Sequence, residues 1–352
     1  MAWTINNGKL YFNTKLYTGD GATSNAITGV GFQPDFVWLK NRSATAGHQL
    51  SDAVRGKSGT NYYSLSSDTT AAQAVQGDND GLNTLGSDGF TVGYTNSTGW
   101  NNSGNNYASW NWLAGTSFTN DASGTGIGSI DSAGSFNDTS GFSIVTYTAA
   151  GAVATIKHGL SSAPKMIFTK KLNGSPNWGV YYGDATDYLE LNTTAATQDD
   201  VNLWNDTAPT SSVFSVGGDN KSSGSGNYVA YCFAEKQGYS KFGSYTGNGN
   251  ADGTFIYTGF SPAFVMVKRT NGANSWNIKD NRRNNASTSF NINPRNATLL
   301  PNDSAADQDA NALDFLSNGF KNRSTGNDVN NASGSYIYMA FAENPFTSST
   351  GT

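Results

Sequence analysis

"YTGDGATSNAITGVGFQPDFVWLKNR", residues 17–42, carries the pattern on which the fold turns. Two later stretches begin alike: "YTAAGAVATIKHGLSSAPKMIFTKKL" at 147–172 and "YTGNGNADGTFIYTGFSPAFVMVKRT" at 245–270. The three align without a gap. In each, a Tyr-Thr pair stands 17 residues before a proline (Pro34, Pro164, Pro262). A glycine (Gly21, Gly151, Gly249) and a lysine (Lys40, Lys170, Lys268) keep fixed offsets. Each stretch is followed by a matching aromatic run, "NNYASWNWLA" at 105–114, "GNYVAYCFAE" at 226–235 and "GSYIYMAFAE" at 334–343. Self-similarity of this kind marks a repeated structural unit, and it predicts three copies of about 100 residues.

The local pattern is that of antiparallel sheet. After each proline comes a short apolar run, "DFVWLK", "KMIFTK" and "AFVMVK". Proline suits the start of a strand, where its missing N–H costs no ladder bond. In the closing runs Ala108/Trp110/Trp112, Val229/Tyr231/Phe233 and Ile337/Met339/Phe341 share one face. A large apolar face opposite a variable one predicts half-buried strands. The expected fold class is all-β: three tandem antiparallel β-sandwich repeats of jelly-roll or lectin-like type. A closed three-bladed assembly is the alternative. Spacing divides the chain into an N-terminal segment (1–16), repeats at 17–114, 142–236 and 237–346, and a C-terminal tail (347–352). Between the first two repeats, "GTSFTNDASGTGIGSIDSAGSFNDTSG" (115–141) reads as a Gly/Ser-rich linker or a surface excursion.

Composition narrows function. Of 352 residues only 13% are charged, while 41 are glycine and 12% aromatic. Short polar side chains favour turns and caps over helices. The net charge of −5 comes without a Lys/Arg cluster, which argues against nucleic acid. No apolar run reaches the ~20 residues of a spanning helix, so membrane insertion is not expected. The first residues lack a signal-peptide pattern. Cys232 is the single cysteine and sits inside an apolar run, as a buried structural thiol does. With two histidines and one cysteine, a zinc site of usual spacing cannot form. No metal and no cofactor is expected.

The stretch that looks most like chemistry is "GHQLSDAVRG" at 47–56, with His48, Asp52 and Arg55. Counting 14 residues from each proline places Trp178 and Trp276 at the position of His48. A position that accepts His, Trp and Trp is an aromatic packing slot, not a general base. Asp52 and Arg55 match Asp280 and Arg283 in the third copy but Tyr182 and Ala185 in the second. Such a pair braces a turn through charge-assisted bonds. Glu235 and Glu343 hold equivalent positions and read as structural, so paired carboxylates for glycoside hydrolysis are not apparent. No catalytic residue is assigned. Binding is better supported: Trp100, with Asn101 and Asn102, and Trp204 lie in polar loops. Exposed indoles beside amides suit a glycan or a subunit contact, and the alternative is that each ring folds back to cap its own unit's core.

Taken together, "GVGFQPDFVWLKNR…HQLSDAVRG…SDGFTVG…NNYASWNWLAG" and "FAEKQGYSKFGSYTGNGNADGTFIYTGFSPAFVMVKRT" resemble uncharacterised repeat proteins of marine tailed bacteriophages. The resemblance runs from about Tyr17 to Phe346. It implies a virion or tail-associated protein with lectin-like sandwich domains of the concanavalin/laminin-G kind. The expected function is that of a non-enzymatic structural protein on the virion surface, assembled in the host cytoplasm. A tail- or fibre-associated adhesin for host-surface glycan is the leading form. A capsid decoration or head-fibre protein is the alternative, and a polysaccharide-degrading tail enzyme the second. Expected partners are other virion proteins and further copies of this chain, because virion parts follow particle symmetry.

Overall fold

Strands form where aromatic and β-branched residues concentrate, because such side chains fit a pleated, packed surface. The computed structural model of the chain describes residues 7–96, 99–283 and 293–343. The tail at 347–352 and the start of the N-terminal segment, 1–6, lie outside the described residues. The fold is all-β, with antiparallel ladders gathered into several packed sheets.

One strand order appears three times. In the first segment the Tyr-Thr strand Phe12–Thr18 pairs with the closing strand Asn106–Trp112, which pairs with the post-proline strand Phe36–Asn41 and then Gln49–Asp52. The second segment orders Phe142–Ala149, Gly226–Phe233, Met166–Lys171 and Gly179–Tyr181 the same way, and the third Ser240–Thr246, Ser335–Ala342, Pro262–Arg269 and Asn277–Asp280. A smaller sheet accompanies each: Asn25–Thr28 with Gly89–Val92, Ala154–Lys157 with Val213–Val216, and Phe255–Tyr257 with Gly319–Asn322. The leading tyrosines stack on the closing-strand tyrosines in near-parallel pairs, Tyr17–Tyr107 at 4.9 Å, Tyr147–Tyr228 at 5.3 Å and Tyr245–Tyr336 at 4.9 Å. Gly21, Gly151 and Gly249 all adopt positive φ (73°, 81° and 66°), a conformation that costs any other residue energy.

The closing strands are buried on both faces, not half-buried as the alternation suggests. One face of each packs within its own segment: Tyr107 in the first, Tyr228/Ala230/Cys232 in the second, Tyr336/Tyr338/Ala340 in the third. The other faces enter a single core built from all three segments. There Trp112, Phe233 and Phe341 touch one another in a triangle, with ring centroids 6.2, 5.7 and 6.0 Å apart. The second face is covered because each segment's main sheet turns toward the others. Burying a large aromatic side chain is worth several kcal/mol in order of magnitude. The shared core therefore ties the segments into one closed body.

Residues 115–141 form a hairpin rather than a linker. Thr116–Asn120 and Ser132–Asn137 pair with each other, and the latter pairs with Phe142–Ala149, so a hairpin extends the second segment's main sheet. Asp121 caps the one-turn helix Ala122–Thr125 between them. The first and third segments have no such addition at that sheet edge among the described residues.

Candidate functional site

The three segments meet at three junctions, and the contacts run in one cyclic sense. Trp178 Nε1 donates to Ser66 O of the first segment at 2.9 Å, and Trp276 Nε1 donates to Glu190 O of the second at 2.9 Å. His48 closes the ring, its Nε2 lying 2.9 Å from Leu300 O of the third. Trp38 Nε1 donates to His48 Nδ1 at 2.9 Å, which fixes the proton on Nε2. Both imidazole nitrogens are thereby occupied. Burial, helped by the Lys40 charge, holds the His48 pKa well below the ordinary histidine value. It is a neutral strut between segments. Its small ring is offset by the large Trp38, where the other copies pair Phe168 with Trp178 and Met266 with Trp276.

The lysines follow the same cycle. Lys40 Nζ reaches Ser304 O (3.0 Å), Lys170 Nζ reaches Thr70 O (2.6 Å) and Lys268 Nζ reaches Thr194 O (3.2 Å), each across a junction. Each also donates to a carbonyl of its own segment. Burial lowers all three to about 8.

The Asp–Arg pairs sit at two junctions. Arg283 Nε binds Asp280 Oδ2 at 2.6 Å, and Asp280 accepts from Trp110 Nε1 of the first segment at 3.0 Å. Arg55 Nε binds Asp52 Oδ2 at 2.5 Å, and Asp52 accepts from Tyr231 OH of the second segment at 2.7 Å. Trp110, Tyr231 and Met339 occupy one position of the closing strands. In the third closing strand that residue is Met339, which has nothing to donate, and the second segment holds Tyr182 and Ala185 at the positions of Asp and Arg. Buried donors and acceptors thus vary together from junction to junction, as the cost of an unpaired buried polar group requires.

A second set of equivalent residues escapes offset counting. Asp307 N donates to Arg42 O, Gln73 N to Leu172 O and Thr197 N to Thr270 O, the three acceptors holding one position of the repeat. Asp307 bridges Arg283 Nη1 and Arg42 Nε, both at 2.6 Å. Thr197 meets Tyr182 OH at 3.2 Å. Gln73 Oε1 and Arg55 Nη1 are buried and have no partner in the protein.

At this last junction lies an open cleft of about 1020 Å³. Val54, Arg55 and Gln73 of the first segment line one side, and Asp121, Ile130 and Asp131 of the inserted hairpin another. Leu172, Thr146, Thr148 and Asn227 of the second segment lie between. The hairpin supplies one wall of the cleft. Asp121 and Asp131 are exposed, and hydrogen bonds from Ser123 and the Gly124 backbone lower the Asp121 pKa. A glycosidase acid needs the opposite shift.

The tryptophans expected as contacts for a glycan or a subunit instead cap their own cores. Trp100 and Trp204 are each 1% exposed and belong to the cores of the first and second segments. Asn101 is fully buried and ties Asp20, Ala22 and Asn25 together. Asn102 N donates to Tyr107 OH at 2.8 Å. These groups hold a loop onto its own segment, and no indole face is left for a sugar. Among the described residues, no group of three or more His, Cys, Asp or Glu is placed to hold a metal ion.

Fold and junctions together define an all-β scaffold of three interlocked segments, with an inserted hairpin and an open cleft at one junction. The chain belongs to the family described as a domain of unknown function (DUF7483), whose model matches residues 7–345. No curated protein and no solved structure matches it.

Proposed function

We propose that the chain is a non-enzymatic surface protein of a tailed-phage particle that binds host-surface glycan through the hairpin cleft. The observation that carries the reading is the cleft itself, which opens where the inserted hairpin faces Arg55 and Gln73. Its walls mix hydrogen-bonding groups with apolar ones, as saccharide sites do. The groups that resemble a catalytic set, His48, Asp52 and Arg55, are engaged in holding segments together. Particle location and self-association rest on the phage resemblance. A glycan array probed with the full chain tests the reading. Binding that a bulky substitution in the cleft, Ala133→Trp, abolishes supports it; binding indifferent to that change overturns the cleft.

A second reading has its own support. Phe255 and Tyr257, 44% and 65% exposed, project from the edge strand Phe255–Tyr257 and give that segment an apolar outer face. Such a face suits packing against a capsid or tail protein, as a decoration protein does. Immunogold labelling of particles separates head from tail.

A further inference from the structure

We infer that the cleft takes a neutral saccharide, one hydroxyl of which accepts from Arg55 Nη1 and donates to Gln73 Oε1. This rests on the glycan reading above and names the sugar class and the anchoring atoms. Where the third segment meets the first, the spare nitrogen of the arginine, Arg283 Nη1, is satisfied by the Asp307 carboxylate at 2.6 Å. Where the first meets the second, the residue with the same backbone contact is Gln73, and the arginine and the amide each keep one buried atom without a partner. Of all buried side-chain atoms in that condition among the described residues, these two alone belong to residues lining the cleft.

A hydroxyl suits the chemistry of both atoms. It accepts from the guanidinium and donates to the amide oxygen, whereas a carboxylate only accepts and leaves Gln73 Oε1 unmatched. Charge points the same way. Asp52 already balances Arg55 at 2.5 Å, and the cleft carries Asp121 and Asp131 besides. At the other junction the added carboxylate of Asp307 is balanced by Arg42, but here the position of Arg42 is Leu172. An acidic sugar would bring an unbalanced charge into a partly buried site. Val54, Ile130 and Leu172 offer apolar surface to the C–H face of a pyranose ring.

The test is titration calorimetry of the full chain with neutral hexose oligomers and with uronic-acid oligomers. It is repeated for Gln73→Asp, which supplies the carboxylate that Arg283 has, and for Gln73→Leu, which removes the acceptor without adding charge. Tyr257→Ala, outside the cleft, is the control, and thermal melting verifies that each variant is folded. The expected result is binding of neutral oligomers, weakened at least about ten-fold in both Gln73 variants, the scale of one lost hydrogen bond in a buried site, and unchanged in Tyr257→Ala. Uronic-acid oligomers bound in preference to neutral ones, or neutral binding untouched by both Gln73 variants, would overturn the inference and leave the glycan reading standing. No binding of either oligomer would overturn both.

Discussion

The junction of the third segment with the first and that of the first with the second start from the same backbone and end differently. At the former, Arg283, Asp280, Asp307, Arg42 and Trp110 form a buried network with two positive and two negative charges. At the latter, Arg55 and Asp52 repeat half of it, Tyr231 replaces Trp110, and Gln73 and Leu172 replace the second ion pair. The third junction, with Met339, Tyr182, Ala185 and Thr197, carries none of these ion pairs. In all three the Asp and Arg charges at these positions balance, while the buried lysines are held by carbonyls. A closed packing of related segments tolerates different polar fillings so long as each is paired, and a junction left unpaired can be given to a ligand.

The largest expected effect comes from breaking the filled junction. Asp280→Ala leaves Arg283 with Asp307 alone and orphans the Trp110 N–H, and should cost ~3–5 kcal/mol in urea unfolding. A loss under about 1 kcal/mol would show that the network is not a brace.

Next is the slot. His48→Trp copies the other two segments but meets Trp38, and overpacking should destabilise by ~1–3 kcal/mol. Adding Trp38→Met, the combination found at Met266/Trp276, should restore most of it. A double variant no better than the single would contradict the volume exchange. The pH profile is a further readout. The folded state holds His48 neutral, so below about pH 6.5 it binds fewer protons than the unfolded chain and loses stability. His158, lowered to about 4 mainly by burial, acts in the same direction. The double variant should keep only the His158 share of the acid loss.

Smaller, and common to every junction, is the lysine effect. With Lys40, Lys170 and Lys268 lowered to about 8, the folded chain binds fewer protons than the unfolded chain from there up to about pH 10.5. Stability therefore rises with pH across that window, by at most about 1.4 kcal/mol per pH unit per lysine. The stacked tyrosines Tyr17, Tyr147 and Tyr245, raised by burial, reverse the slope once the unfolded tyrosines ionise near pH 10. Lys279, held well below its ordinary value by burial, adds to the rise, so each single Lys→Met variant at a junction should remove about a quarter of it. A flat profile in the unaltered protein would contradict the burial of these ammonium groups. The smallest effect is Tyr257→Ala, within about 0.5 kcal/mol of the unaltered chain, as for an exposed side chain.

Much of this was legible in the sequence because the repeat keeps offsets constant from the leading tyrosine to the aromatic slot. The leading tyrosines, the post-proline strands and the equivalence of His48 with Trp178 and Trp276 fall inside that stretch, and the closing strands were matched by their own aromatic run. Beyond it the loops differ in length, so Gln73, Thr197 and Asp307 cannot be matched by counting, and only their shared backbone contact aligns them. The shared core was half visible: the alternation marked one apolar face of each closing strand, but not that the three faces meet. Trp100 misled because its neighbours are Asn, Gly and Ser. A signal was present, however, since it stands seven residues before Tyr107, as the buried Val329 stands before Tyr336. The inserted hairpin misled for a related reason. Gly, Ser and Thr read as linker, while pairing with an existing sheet edge makes strand of them.

At the Arg55 and Arg283 junctions the same backbone positions carry different polar fillings. A double-mutant cycle on Gln73→Asp and Leu172→Arg tests this equivalence directly, because the pair transplants the Asp307 and Arg42 arrangement beside Arg55. Leu172→Arg alone should destabilise, by burying a charge without a partner, and Gln73→Asp should offset that loss, with a favourable coupling of ~1–3 kcal/mol. Additive effects, with no coupling beyond about 0.5 kcal/mol, would contradict the equivalence.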